Sequence, residues 1–255
     1  MPAVSLKAVD KSFGEGRERV DALRDINLDV AENEFVSVVG ASGCGKSTLL
    51  RLIAGLLPPS SGAVAIGGRP IDGPDPGVGI VFQTPVLLPW RSVRRNVELQ
   101  LDIRRIATRD RKSRVGELLQ LVGLTGFEER KPYELSGGMQ QRVAICRALV
   151  HNPSLLLMDE PFGALDALTR EQMNLELQRI WMETRKTVFF ITHSITEAVM
   201  LGDRVVVMTP RPGRIMDVVP VPLPRPRDFS AMRRAEFHTA CERVRHLMSA
   251  AGFIE

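Results

Sequence analysis

Long hydrophobic runs are missing from this chain of 255 residues; its apolar stretches, such as Leu155–Met158 and Val205–Met208, are only strand-length. Nothing approaches the roughly 20 residues of a spanning helix, so no segment is expected to cross a membrane. Cysteine is scarce: three residues with no CxxC pair exclude a disulfide framework and fit a reducing cytosol. Cys146 and Cys241 read as small core residues. There is no internal repeat and no low-complexity tract. The opening residues, MPAVS, show no basic stretch followed by an apolar one, so no signal peptide is expected.

What is present is ordinary in amount, with 44% hydrophobic and 25% charged residues. The length suits one large domain, or one with inserted subdomains. Charge is unevenly placed. Residues 91–114 hold nine basic side chains (Arg91, Arg94, Arg95, Arg104, Arg105, Arg109, Arg111, Lys112, Arg114) against Glu98, Asp102 and Asp110. Their local +6 exceeds the +4 of the whole chain. The segment reads as a solvated helical face, or as a surface near something anionic such as lipid or an acidic partner.

Along the chain, "VSLKAV", "INLDV" and "EFVSVVG" read as strands, the last running into a glycine loop. Residues 46–57 read as a helix stopped by Pro58 and Pro59. "AVAIGG" and "VGIVFQ" are further strands. From about 91 to 150 the pattern is helical, with Leu118, Leu119 and Val122 on one face, as in an inserted helical subdomain. A helix over 137–150 leads to strand "LLLMD", a helix over 167–185, strand "TVFFIT", a short helix and strand "RVVVM". Apolar strands alternating with helices predict an α/β fold with a largely parallel sheet. Residues 210–227, with six of the 17 prolines, read as an extended connection rather than strand or helix. A last helix is expected over about 230–250.

Three motifs carry chemistry. "GASGCGKST" (Gly40, Ala41, Ser42, Gly43, Cys44, Gly45, Lys46, Ser47, Thr48) fits a phosphate loop between a buried strand and a helix. Its backbone N–H groups and the helix N-terminus would cradle phosphates. Lys46 would reach the β and γ phosphates, and the Ser47 hydroxyl would ligate Mg²⁺. "LLLMDE" ends an apolar strand in two carboxylates: Asp159 for Mg²⁺, and Glu160 as general base for the attacking water. "TVFFITHS" brings His193 to a strand end, with Ser194 and Glu197 spaced as a capping box for the next helix. "LSGGMQQR", at 135–142, is a second glycine-rich helix start.

With Gln83 in "FQ" and Asp166 in "ALDA", these motifs follow the order and spacing of the ATP-binding cassette family, which the chain resembles over nearly its whole length. The resemblance implies a phosphate-loop ATPase core, an N-terminal antiparallel β subdomain and the helical insertion, in a single domain over 1–255 ending in a Pro-rich extension from about 210. It implies two subunits paired head to tail, each ATP lying between one copy's phosphate loop and the other's Ser136, Gly137, Gly138 and Gln140. Phe13 matches the aromatic that stacks on adenine. Gln83 matches the residue that touches Mg²⁺ and senses the membrane partner, and Asp166 the loop that communicates across the dimer. "LLPWRSVRRNV", "EPFGALDALTR" and "PLPRPRD" resemble the ATPases of bacterial nitrate, sulfonate, taurine and bicarbonate importers.

The expected role is therefore an ATP-hydrolysing subunit, peripheral on the cytoplasmic face of the inner membrane. It would drive integral membrane permease subunits and, through them, receive a small anionic solute from a binding protein. One alternative is a soluble relative acting on nucleic acid, but no long coiled-coil or zinc-bearing insertion lies between Lys46 and Ser136, and no nucleic acid is expected. A small-molecule kinase would share the phosphate loop and have no use for "LSGGMQQR".

Overall fold

A computed structural model describes residues 1–106 and 111–252, apart from the side chain of Arg17. Two members of the basic segment, Arg109 and Asp110, lie outside the described residues. The chain forms two compact units, Met1–Asp75 with Lys186–Glu255, and Pro76–Arg185.

The first unit opens with β1 (Val4–Phe13) and β2 (Val20–Val30), which pair antiparallel. After β3 (Phe35–Val39) and α1 (Lys46–Ile53), β4 (Ser61–Ile66) and β5 (Arg69–Pro70) complete an antiparallel sheet in the order β2-β1-β4-β5. α1 ends four residues earlier than the prolines predict. Gly55 adopts φ 69°, Leu56 N donates to Arg51 O at 2.9 Å, and Gly55 N donates to Leu52 O at 3.1 Å. This Schellman closure satisfies carbonyls that a continuing helix would have used, so the glycine stops the helix and not Pro58.

The unit's second sheet is built on β3. It pairs in parallel with β8 (Thr187–Ile191) and with β9 (Arg204–Met208). Every residue of β3 and β8 is buried, as strands covered on both faces require. Phe35 and Phe190 meet at 5.8 Å between ring centroids, their planes tilted by 52°. Helices α6 (Ile195–Leu201) and α7 (Ala235–Ala250) pack on β3 and on β9 respectively.

The tail corrects one expectation. Residues 215–220 are not a bare connection but a strand, β10 (Ile215–Pro220), antiparallel to β9. The prolines sit outside it or at its last position, where no ladder N–H is required, and the β-branched Ile215, Val218 and Val219 favour the pleat. The final helix starts later than expected, at Ala235, after a 3₁₀ turn over Ala231–Arg233.

The second unit holds β6 (Val78–Val81) parallel to β7 (Leu155–Asp159). Four helices accompany them: α2 (Val93–Ile103), α3 (Arg111–Leu121), α4 (Gly137–Leu149) and α5 (Ala167–Thr184). Leu118, Leu119 and Val122 are buried, as their shared face predicts. Cys146 is fully buried, and burial pushes its thiol pKa up. Asn96, also fully buried, was not visible in the sequence. Its Oδ1 accepts from Leu88 N at 2.8 Å, and its Nδ2 donates to the carbonyls of Leu88, Arg91 and Ser92. It holds the loop entering α2.

Among the described residues, most of the basic segment's cations are engaged within their own unit, while Arg105 and Lys112 are exposed. Arg91 and Arg111 both pair with Asp102, Arg94 with Glu129, and Arg95 with Glu98. Arg104 donates to Pro76 O at 2.6 Å, and Arg114 donates to Val150 O at 2.8 Å. Most of these cations serve the unit's own backbone and carboxylates, which weakens the case for an anionic partner here.

Candidate nucleotide site

In the first unit, Val38 of β3 lies opposite Ile191 of β8. Both strands run in the same direction, so the loop at 40–45 and the residues around His193 leave one sheet edge, where α/β folds bind ligands. Gly45 caps α1 with φ 103°, and a Cβ there would meet Leu23 Cδ2 at 2.6 Å. Only glycine lets the loop curl this closely. Lys46 is 94% buried (6% exposed), and its Nζ donates to Gly40 O at 2.8 Å and Ala41 O at 3.0 Å, spanning the loop. Ser47 and Thr48 lie in the first turn of α1. Cys44 is buried, so its place in the loop does not make it an open target for thiol reagents.

Phe13, at the end of β1, is 42% exposed, which excludes the core role its type also allows. Lys11 Nζ sits 5.2 Å from its ring centroid, a cation–π contact on an aromatic that remains available for stacking. His193 is exposed. The predicted capping box is half formed: Glu197 N donates to Ser194 Oγ at 3.3 Å, but the Ser194 N–H donates to Thr192 Oγ1 at 3.0 Å instead of to Glu197. Thr192 Oγ1 in turn donates to Glu197 Oε2 at 2.5 Å. The carboxylate is thus turned toward Thr192 and away from the cap backbone.

In the second unit, Val81 lies opposite Met158, so Gln83 and the pair Asp159–Glu160 also leave a common edge. A Cβ on Gly163 would lie 3.1 Å from Gln83 Nε2, which places that amide against the loop after β7. Glu160 has φ 45°. A left-handed glutamate is strained, and such strain gathers at functional positions. No feature of the sequence announces it. The loop closes with Gly163 N donating to Glu160 O at 3.0 Å.

Ser136 caps α4, its Oγ accepting from Met139 N at 3.3 Å, and both Ser136 and Gly137 are exposed. Gly138 is buried: a Cβ there would lie 2.8 Å from Thr169 Cγ2 on α5, whereas one on Gly137 would only touch Leu165 Cδ2 at 3.6 Å. The two glycines therefore differ in kind, one open to a ligand and the other required by helix packing. Gln140 Nε2 donates to Pro132 O at 3.0 Å and Leu135 O at 3.3 Å, bracing the turn that leads to Ser136. Asp166 caps α5, and the backbone hydrogen bond from Thr169 holds its carboxyl below the usual range.

Comparison with known proteins identifies the chain's relatives. The family model described as "ABC transporter" matches residues 23–163. The taurine import ATP-binding protein of Rhizobium johnstonii is 57% identical over 197 residues, covering 77% of this chain and 75% of its own. The aliphatic sulfonates import ATP-binding protein of Bacillus licheniformis is 45% identical over 225 residues, covering 88% and 87%. Among solved structures, the dimeric post-hydrolysis state of an ATP-binding cassette bound to ADP and Pi superposes with a TM-score of 0.74 at 37% identity. That match covers 86% of this chain and 98% of the other. With the "GASGCGKST" loop, the Asp159–Glu160 pair and the exposed start of α4, whose "LSGGMQQR" is its signature, on one chain, and with relatives of this likeness, the chain belongs to the ABC transporter family.

Proposed function

We propose that the chain is the ATP-hydrolysing subunit of an importer for a small anionic solute, acting as a head-to-tail pair of copies. The observation that carries this reading is the exposed start of α4, where Ser136 and Gly137 offer a helix N-terminus to a nucleotide held on a second copy. Taurine and aliphatic sulfonates, named in two relatives, share a sulfonate group, which supports an anionic solute.

On its own copy, ATP would be held by residues 40–48, with Phe13 against the base and Lys46 on the phosphates. Glu160 would accept a proton from the attacking water, and His193 would bridge water and γ-phosphate. Asp166 would lie near the partner's nucleotide; Gln140 would act by bracing the signature turn. Ser47, Gln83 and Asp159 carry the hard oxygen donors that suit Mg²⁺, and among the described residues no cluster of carboxylates, histidines or cysteines forms a self-sufficient cage. The metal would thus arrive with the phosphates and neutralise their charge.

No helix among the described residues is long and apolar enough to cross a membrane. Transport would then require separate permease subunits, against which this chain would sit peripherally at the cytoplasmic face. A binding protein would deliver solute to them from the other side.

Glu160→Gln tests the reading. The amide cannot take the water's proton, so turnover should fall by roughly 10²–10⁴ while Mg-ATP still binds. The variant should accumulate as an ATP-bound dimer in size-exclusion chromatography. Turnover at the wild-type rate would overturn the role given to Glu160.

A further inference from the structure

Arg227 is 1% exposed, among the largest fully buried side chains of the molecule. Its Nη1 donates to Val199 O at 2.8 Å, Met200 O at 3.2 Å and Gly202 O at 2.7 Å. Its Nε and Nη2 donate to Leu223 O at 3.2 and 2.9 Å. Val199 and Met200 lie in the last turn of α6, where carbonyls lack helical partners and a cation meets the negative end of the helix dipole. Beside it, Arg225 Nη2 donates to Leu201 O at 2.6 Å and pairs with Asp203 at 2.7 Å. Two guanidinium groups from the Pro-rich tail therefore seat the C-terminal end of α6. Burial, with some repulsion from Arg225, lowers the Arg227 pKa to about 10, and it stays charged at neutral pH.

The opposite end of α6 carries His193. The residues on either side of it, Thr192 and Ser194, are tied to the first helical turn through Glu197. At seven residues, α6 is only about 10 Å long. So short a rigid element transmits a tilt at one end directly to the other.

We propose that Arg227 is a positioning residue for His193: by seating the C-terminal end of α6, it fixes where the histidine at the helix's other end is presented. The tail of the chain then sets the rate of hydrolysis without touching nucleotide. This inference rests on the role given to His193 above.

Arg227→Lys keeps a charge but loses the planar fork that serves both carbonyl groups. ATP affinity by equilibrium binding should stay within about twofold, because the phosphate loop is untouched. Single-turnover hydrolysis should slow by about tenfold, the scale of a small misplacement of a reacting group. In nucleotide-free protein, amide hydrogen exchange over residues 194–198 should quicken. The double variant Arg227→Lys/His193→Ala should be no slower than His193→Ala alone, since both changes act through one side chain. Unchanged exchange and turnover in Arg227→Lys, or losses that multiply in the double variant, would overturn the inference alone. His193→Ala turning over at the wild-type rate would instead overturn the reading of His193, and this inference with it. Should Arg227→Lys fail to fold, Arg225→Lys loosens the same helix end at Leu201 and takes its place with the same expected results.

Discussion

Val38 of β3 stands directly opposite Ile191 of β8 in parallel register. One strand pair thereby delivers both the phosphate loop and His193 to the same edge, and Val81 with Met158 does the same for Gln83 and Glu160 in the second unit. The exposed start of α4 carries "LSGGMQQR", and which copy's nucleotide it serves can be tested.

Lys46→Ala removes the phosphate-loop cation, and Gly137→Asp puts a negative charge at the exposed start of α4. The second change fits sterically, since a Cβ on Gly137 makes only an ordinary 3.6 Å contact. Each variant alone should be inactive. If sites form between copies, random mixing gives about half mixed dimers and leaves about a quarter of all sites whole. Single-turnover hydrolysis should reappear on mixing; mixed dimers with no recovery would show that each copy uses its own signature.

The neighbouring glycine should respond differently. Gly138→Ala places a methyl 2.8 Å from Thr169 Cγ2, a stiff β-branched group, so overpacking between α4 and α5 should cost about 1–3 kcal/mol. Thr169→Ser removes the offending methyl and should restore most of the loss in urea unfolding. Equal stability of Gly138→Ala and the wild type would contradict the packing described here.

Within the basic segment, two neighbouring cations should separate cleanly. Arg114 donates to the Val150 and Leu149 carbonyls, so Arg114→Glu should destabilise by about 1.5–3 kcal/mol, the scale of charged hydrogen bonds. Lys112 is exposed, and Lys112→Glu should stay within about 0.5 kcal/mol of the wild type. Thermal melts of both variants at low and moderate salt check this. The same logic makes charge reversal at Arg104 a poor probe of membrane binding, because that side chain holds the Pro76 carbonyl.

His151 gives a pH signature. Burial first, then the nearby Arg104 and Arg114 cations, lowers its pKa to about 4, and its Nε2 lies 3.3 Å from Val78 O. The unfolded chain holds this proton more tightly than the folded one, so the histidine's contribution is favourable above about pH 6.5 and is lost as pH falls toward 4. Melting temperature should drop across that window, and His151→Gln should flatten the drop. An unchanged slope would mean that this ring is not what titrates.

The motifs were legible because they are local. A phosphate loop needs its glycines, lysine and serine side by side, and "LLLMD" reads as a buried strand from its own five residues. What escaped depends on partners far along the chain. Arg227 looks like any charge in a Pro-rich stretch until its acceptors at Val199 and Gly202 are known. Asn96 looks like a surface helix residue until it is found inside, holding Leu88. β10 was hidden by the prolines that flank it, which mask a short β-branched run. The left-handed backbone of Glu160 belongs to a loop geometry that no residue type in "MDEPFG" announces.

The pairing of β3 carries a consequence for synthesis. This wholly buried strand bonds with β8 and β9, and β8 begins only at Thr187. On the ribosome, the loop at 40–45 therefore emerges long before the strands that flank β3 exist. An apolar edge left open for that interval is prone to wrong pairing. The first unit should thus mature last, after the 76–185 segment has had time to fold, and the loop at 40–45 should bind no nucleotide until the strands beyond residue 186 have docked.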